Sequence, residues 1–453
     1  MVQISTLFSG LAAASTASAA FRNVIYFDQY HTAVLPNNSL TNGVTHVITA
    51  FANSSYFVGG STMGDYTPFL PLDEVRALFS NGTKVCMAIG GWGDLDGFRA
   101  GALSNASRSA YASNVASTLT RLGYDCIDVD WEYPGGNGYD YKQVPNSDLT
   151  AELNTYPLLL GAIKAAIGSS KELSIAVPGL ERDMIAFTAD TVPSINAAVD
   201  FVNVMTYDLM NRRDTATKHH TDVNGSLATV EAYIANGMDP AKMNLGLAFY
   251  AKYFTLAANT TCTDGPIGCP IALAEDAEGQ DTGASGAQTF EQSSLPVEVS
   301  SASLVATTDG TCGAANSFTC TGASFGGCCS QYGYCGATSV YCDTGCQSAY
   351  GTCSTTATKS VAESFADALT NGTEDVLRGG QWWVDDEAGL FWTWDTASII
   401  ARKFTDIIEA KGLGGIMAWS LAEDSYNWSH LEAMQEGVAN LAANMTTALK
   451  RRQ

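Results

Sequence analysis

Positive charge is the first thing this chain lacks. Its 23 lysines and arginines face 46 aspartates and glutamates, for a formal charge of −23. That surplus repels polyphosphates and anionic lipid, so neither nucleic acid nor a membrane is an expected partner, while a neutral ligand stays compatible. Histidine is also sparse, with five in 453 residues, scattered except for His219-His220 in a polar stretch. No spacing of His, Cys or acids makes a metal motif, and neither a metal nor a cofactor is expected. No glycine-rich phosphate loop follows the first strand candidate, and no serine-centred nucleophile elbow is present. Beyond the N-terminus no apolar run reaches the ~18 residues of a membrane span.

Residues 1–19 read as a secretory signal peptide, with a short apolar core opening at Ile4-Ser5-Thr6-Leu7-Phe8 and a small-residue cleavage site at Ala17-Ser18-Ala19, although Lys and Arg are missing before the core. Nine Asn-x-Ser/Thr sequons follow, at Asn37, Asn53, Asn81, Asn105, Asn224, Asn259, Asn371, Asn427 and Asn444. Together they favour a secreted, extracellular glycoprotein.

What is present is a large apolar fraction, 46% of a chain long enough for two or three domains. From residue 22 strand and helix signals alternate. Strand candidates are Asn23–Phe27, His46–Phe51, Lys84–Ile89, Asp125–Trp131, Leu173–Pro178, Phe201–Tyr207, Met243–Phe249 and Gly415–Trp419. Most are continuous apolar runs, as expected of parallel strands buried on both faces. Helical spacing appears between them: Tyr111, Val115, Leu119 and Leu122 before Gly123, and Leu227, Val230 and Ile234 before Gly237. Eight such units predict an α/β fold, a (β/α)8 TIM barrel.

The fourth strand candidate carries the chemistry. Gly123-Tyr124-Asp125-Cys126-Ile127-Asp128-Val129-Asp130-Trp131-Glu132-Tyr133-Pro134 places acids at every second position. With a side-chain period of two, Asp128, Asp130 and Glu132 share one face, and Ile127, Val129 and Trp131 the other. Alternating acids also describe a solvated strand edge. On a half-buried strand, however, like charges raise one another's pKa values, and a carboxyl that keeps its proton beside an ionised one is a general acid. The Tyr133-Pro134 stop puts Glu132 at the C-terminal end of its strand, where catalytic groups lie in such barrels.

The spacing Asp125-x-x-Asp128-x-Asp130-x-Glu132, with its Trp and Tyr-Pro, resembles the signature of the family-18 glycoside hydrolases, the chitinase family. Cys126 departs from it, standing where the family usually has Gly. The resemblance implies chitin and chito-oligosaccharides as partners and Glu132 as the acid, with Asp130 and Asp128 as its catalytic partners. Lys84–Trp92 resembles the family's Ser-x-Gly-Gly strand with Ala88 in place of Ser, and Gly90-Gly91 let the backbone pass close to the acid strand. Cys86 and Cys126 fall on adjacent strands and are expected to be buried free thiols, because disulfides across parallel strands are uncommon. Met205-Thr206-Tyr207-Asp208 resembles the Met-x-Tyr-Asp motif. It implies Tyr207 and Asp208 on the substrate acetamido sugar, with Met205 beside them. Trp419 would floor the site, and Tyr250, Trp92 and Tyr133 would extend it. After Tyr250 the family often has Gly-Arg; here Ala251-Lys252 follow. Trp382 and Trp383 are sugar platforms or packing residues.

About 165 residues separate the seventh and eighth strand candidates. The outer part resembles the small α+β insertion that deepens the groove of many chitinases, and a Cys262–Cys269 disulfide is expected in its first loop. Within it, residues 309–354 hold eight of the twelve cysteines. So short a segment needs disulfides to stand in for a core, and spacing alone leaves 105 pairings open. Cys328-Cys329-Ser330-Gln331-Tyr332-Gly333-Tyr334-Cys335-Gly336, then Tyr341-Cys342, resembles a hevein-type chitin-binding module. That resemblance implies the pairs Cys312–Cys329, Cys320–Cys335, Cys328–Cys342 and Cys346–Cys353. It also implies sugar stacking on Tyr332, Tyr334 and Tyr341, with Ser330 on the acetamido group. The expected organisation is a signal at 1–19, barrel at 20–250, insertion at 251–390 with the module at 309–354, and barrel again at 391–453. The expected form is a monomer. Two alternatives share these motifs: an endo-β-N-acetylglucosaminidase acting on N-glycans, and a non-catalytic chitin lectin.

Overall fold

A computed structural model describes residues 21–450 apart from 261, 263–264, 297–303, 314–315, 331, 344–345 and 355–358. The signal-peptide expectation at 1–19 and Gln331 of the module motif lie outside the described residues. Eight parallel strands close a barrel: β1 (Arg22–Asp28), β2 (His46–Ala52), β3 (Lys84–Gly90), β4 (Cys126–Asp130), β5 (Glu172–Val177), β6 (Phe201–Val204), β7 (Met243–Ala248) and the last strand of the chain, Gly415–Trp419, which pairs with β1 and β7. Side chains alternate as a barrel wall requires. Ile127, Val129 and Trp131 join the apolar layer between strands and helices, while Cys126, Ala88 and Tyr26 fill the lumen.

Local signals explain the helices. Asn105–Leu122 opens on Ser104, whose side chain and that of Ser107 make a reciprocal capping box, and it stops at Gly123 with φ 81°. One strand is shorter than its apolar run predicts. β6 ends at Val204 because the chain turns there: Thr206 N donates to Val204 O at 2.8 Å, and Thr206 Oγ1 to Gly246 O at 2.6 Å. Met205, Tyr207 and Asp208 therefore leave the wall and point over the barrel mouth.

The free-thiol expectation is wrong. Cys86 and Cys126 form a disulfide between β3 and β4, and no free cysteine remains. The register pairs the two residues directly, with Cα atoms 4.4 Å apart, and paired residues of parallel strands point to the same side. Both sulfurs face the lumen under the acid cluster. This accounts for a cysteine at the position where the family has Gly.

After β7 the chain builds a second sheet: β8 (Tyr250–Thr255), β9 (Ser285–Thr289), β14 (Thr373–Asp375), β15 (Gly380–Asp385) and β16 (Leu390–Trp394), in the order β14-β15-β16-β8-β9. The sheet runs on to Trp394, past the boundary expected at 390, because Leu390–Trp394 is a central strand buried on both faces. Helix Val361–Asn371 packs on it through Phe365 and Ala368. Trp382 and Trp383 pack within this insertion. Between β9 and β14 lie four two-residue strands, β10 (Val305–Ala306), β11 (Phe318–Thr319), β12 (Cys328–Cys329) and β13 (Cys335–Gly336). Their core is Cys312, Cys320, Cys329, Cys335 and Tyr350. The disulfides here are Cys312–Cys329, Cys320–Cys335, Cys328–Cys342 and Cys346–Cys353, with Cys262–Cys269 in the insertion's first loop. The last strand of the chain, Gly415–Trp419, is β17.

Candidate active site

A cleft of about 430 Å³ lies over the C-terminal ends of the barrel strands. Asp130, Glu132, Tyr133, Met205, Tyr207, Asp208, Tyr250, Trp92 and Trp419 all line it. The structure thus brings together every barrel residue singled out in the sequence except Asp128, which lies one layer below.

Asp128 is fully buried and completely partnered. Its Oδ2 accepts from Tyr26 Oη at 2.7 Å, and its Oδ1 from Ser174 Oγ at 2.6 Å and Asn203 Nδ2 at 3.2 Å. Burial raises its pKa to about 6 while those donors pull it down. The hydroxyl missing at Ala88 is supplied from the opposite neighbour: Ala88 and Ser174 flank Asp128 in register on β3 and β5. Neither Tyr26 nor Ser174 was legible as part of the site; only inward parity, on β1 across the barrel and on β5 beside β4, marks them.

Asp130 is the opposite case. It is buried, yet among the described residues its Oδ1 has no hydrogen-bond partner. Burial, then the charges of Glu132 and Asp128, hold its pKa far above the carboxylate range. Glu132, half-buried just past β4, is pushed to about 7 by burial first and then by the charges of Asp208 and Asp183, against a hydrogen bond from Tyr133. Removal from water is thus the first cause for all three acids, and repulsion by the strand's other acids adds to it only at Asp130. The glycines after β3 make the close packing feasible. A Cβ on Gly90 would stand 2.1 Å from Asp130 O, and φ there is 110°.

Asp208, with φ 53°, stays ionised. Burial opposes this, but Lys252 Nζ 3.0 Å away and the Tyr250 hydroxyl at 2.7 Å outweigh it and hold its pKa below the usual value. Lys252 thus supplies the cation that the family's Gly-Arg would bring. Among the described residues Tyr207 Oη has only Met417 Sδ, at 3.8 Å, as hydrogen-bond partner. Trp419 stacks on Phe51, with centroids 5.5 Å apart and planes at 17°, and makes an apolar floor. Trp92 stands half exposed at the rim, edge-on to Tyr133 and Tyr139. Sequence reading missed Phe51, Asp183, Asn211 and Arg213, which come from strand ends and loops; Asp183 follows the β5 terminus, the one positional signal available.

Asp28, His31 and Glu423 bring three metal-ligand-type groups together at the barrel rim. His31 Nδ1 lies 2.9 Å from Asp28 Oδ1, and that bond raises His31 to about 9, so an imidazolium supplies the positive charge there. In the small module Tyr332 and Tyr334 are exposed, Tyr341 covers Gly336, and Ser330 is buried with its Oγ accepting from Tyr334 N at 3.3 Å.

Residues 22–424 match the glycosyl hydrolases family 18 model. The chain belongs to this family. Among curated relatives, Chitinase 1 of Aphanocladium album is 26% identical over 284 residues, covering 55% of this chain and 66% of the relative. Sporulation-specific chitinase 2 of Saccharomyces cerevisiae is 30% identical over 187 residues, covering 39% of this chain and 35% of the relative. The matches thus span between about a third and two thirds of those relatives' lengths. Among solved structures, a chitinase from Rhizomucor miehei superposes with TM-score 0.60 at 17% identity, covering 91% of this chain and 99% of that one. A mutant family-18 chitinase from Cycas revoluta in complex with (GlcNAc)4 gives 0.58 at 17% identity, covering 92% and 99%. These likenesses carry the barrel fold. Among the described residues no helix is long and apolar enough to cross a membrane.

Proposed function

We propose that this family-18 hydrolase is a secreted chitinase that cleaves β-1,4 bonds between N-acetylglucosamine units by a retaining, substrate-assisted mechanism. The observation that carries the reading is the unpartnered Oδ1 of buried Asp130, which lines the cleft together with Glu132 and Trp419. A buried carboxyl oxygen without a donor is costly. The N–H of a substrate acetamido group seated on Trp419 supplies that donor.

Glu132, protonated up to about pH 7, gives its proton to the glycosidic oxygen. The acetamido oxygen of the same substrate attacks the anomeric carbon as the leaving sugar departs, and an oxazolinium ion forms. Asp130 holds the acetamido nitrogen and stabilises its charge, with Asp128 beneath sharing the proton. Tyr207, whose hydroxyl lacks a strong protein partner, donates to the acetamido carbonyl, and Asp208 and Met205 hold the same sugar. Glu132 then takes a proton from water, which opens the ring ion with retention. No enzyme nucleophile is needed, the departure from the two-carboxylate scheme for which family 18 is known.

The test is the fresh product from chitohexaose. Short oligomers appearing first as the β anomer support the reading. Glu132→Gln should lower kcat by ~10²–10⁴, and near-wild-type activity in that variant refutes the role of Glu132. No cleavage of chitohexaose, with cleavage of a high-mannose glycopeptide, would move the assignment to the N-glycan class; retained chitin binding with neither activity would make it a lectin.

A further inference from the structure

A line of hydrogen-bond donors reaches Asp128 from the base of the barrel, the end opposite the cleft. Arg22, the first residue of β1, donates from Nε to Asn244 Oδ1 at 2.8 Å. Asn244 Nδ2 donates to Asn203 Oδ1 at 2.8 Å. Asn203 Nδ2 then gives one hydrogen to Asp128 Oδ1 at 3.2 Å and the other to Tyr26 Oη at 3.1 Å. Asn203 and Asn244 are fully buried and stand opposite each other in the register of β6 and β7. Arg22 belongs to β1, which β17 separates from β7. Its bond to Asn244 crosses that strand at Gly415, the register partner of both residues. A Cβ on Gly415 would stand 2.1 Å from Asn244 Oδ1 and 2.8 Å from Arg22 Cβ, so the missing side chain is what lets the bond cross.

The line has a direction. An arginine Nε–H can only donate, so the Asn244 carbonyl faces it and the Asn244 amide nitrogen faces Asn203. That turns the Asn203 carbonyl to Asn244 and its amide nitrogen to Asp128 and Tyr26. The Tyr26 hydroxyl, accepting from Asn203, keeps its own hydrogen for Asp128 Oδ2, 2.7 Å away. With Asn203 turned over, its carbonyl would face Asp128 with no hydrogen between them and would compete for the Tyr26 hydrogen. Two of the donors on Asp128, Tyr26 and Asn203, thus take their orientation from Arg22; Ser174 Oγ is independent of it.

We propose that Arg22, Asn244 and Asn203 are positioning residues for hydrolysis: from the base of the barrel they set the donors around Asp128, keep it the ionised member of the Asp128–Asp130 pair, and so leave the pair's shared proton on Asp130. The inference rests on the substrate-assisted reading above and deepens it. Asp128 does not line the cleft, so the line acts through Asp130 on turnover and not on binding. The titratable groups near Asp128 are Asp130 on its own strand, Tyr26 on β1 and Tyr156 on the helix Glu152–Ile167. At the base Arg22 faces Asp239 and Glu172, and Glu172 also takes His46 Nε2 and Lys84 Nζ at 2.8 and 2.5 Å. None of these is altered by a change at Asn244, so their titration is common to wild type and variant.

The experiment measures kcat and KM of the full-length enzyme on chitohexaose as a function of pH. Asn244→Leu keeps the volume and removes the link. Asn244→Asp keeps the shape and pairs its charge with Arg22, but it can only accept, so it turns Asn203 over and carries the test should the leucine variant not fold. Ser174→Ala is the reference, because it removes a donor from Asp128 directly. In both Asn244 variants kcat is expected to fall about tenfold with KM within about twofold of wild type, the scale of one lost hydrogen bond to a charged group. A carboxylate stripped of donors takes its proton at higher pH, so the ratio of variant to wild-type kcat should fall further as pH is lowered from about 7 to about 6. A ratio that stays flat with pH in both Asn244 variants while it falls in Ser174→Ala overturns the line and leaves Asn244 a packing residue. A rise in KM with kcat unchanged overturns it as well. A flat ratio in all three variants removes the charge of Asp128 from the reaction and the inference with it. Failure of the wild type to cut chitohexaose at any pH overturns the hydrolase reading underneath.

Discussion

A carboxyl that ordinarily titrates near 4.5 titrates at about 7 in Glu132 because it is buried and faces the charges of Asp208 and Asp183. In the proposed reaction the acid form is the one that protonates the leaving oxygen. Activity is therefore complete below about pH 7 and falls as pH rises through it, tenfold per unit in kcat/KM. The cause is separable by substitution. Asp183 pushes the pKa of Glu132 up, so Asp183→Asn should lower it and move the alkaline limb of the kcat/KM profile to more acid pH. An unmoved limb would remove Asp183 from the electrostatics of the site. At this scale the sequence was most legible for residues whose place follows from strand parity, such as Asp128, Asp130 and Glu132. It was silent on Arg213 and Asn211, which reach the cleft only because of how a loop folds, and on Phe51, whose relevance depends on a ring stacked across the barrel mouth.

Between elements, the disulfide joining β3 and β4 is the feature the residue pattern hid. Both strands were identifiable from their apolar runs, but register is set by tertiary packing, and only register makes Cys86 and Cys126 opposite one another. The bond closes a loop with a sequence separation of 40 residues. Replacing both cysteines with alanine should cost ~2–4 kcal/mol of stability, read as a lower midpoint in guanidinium unfolding under non-reducing conditions. An unchanged midpoint would mean that packing in the lumen alone fixes the two strands. The insertion was harder to read than the barrel for a related reason. Its antiparallel strands are short and mixed in polarity, and β16, buried on both faces, looks in sequence like one more barrel strand. The hydrogen bonds of Tyr141 with Glu275 and of Gln143 with Glu278 had no sequence signal, since they join two turns more than a hundred residues apart.

For the molecule as a whole, the proposed hydrolysis and the adhesion expected of the module fall to different parts of the chain. The barrel cleft holds the acids; the module exposes Tyr332 and Tyr334, which have no core to enter because cysteine sulfur occupies it. Tyr332→Ala with Tyr334→Ala should reduce retention on chitin beads roughly tenfold, on the scale of losing two stacked aromatic contacts, and leave turnover of chitohexaose unchanged. Equal retention would mean that the cleft, and not the module, grips the solid.

The module is also strung between β9 and β14, entering and leaving the same insertion. A domain hung from a chain terminus is lost to one proteolytic nick. Here a protease must cut on both sides to free it, and after a single cut in either connection the module stays tied to the catalytic body through the other.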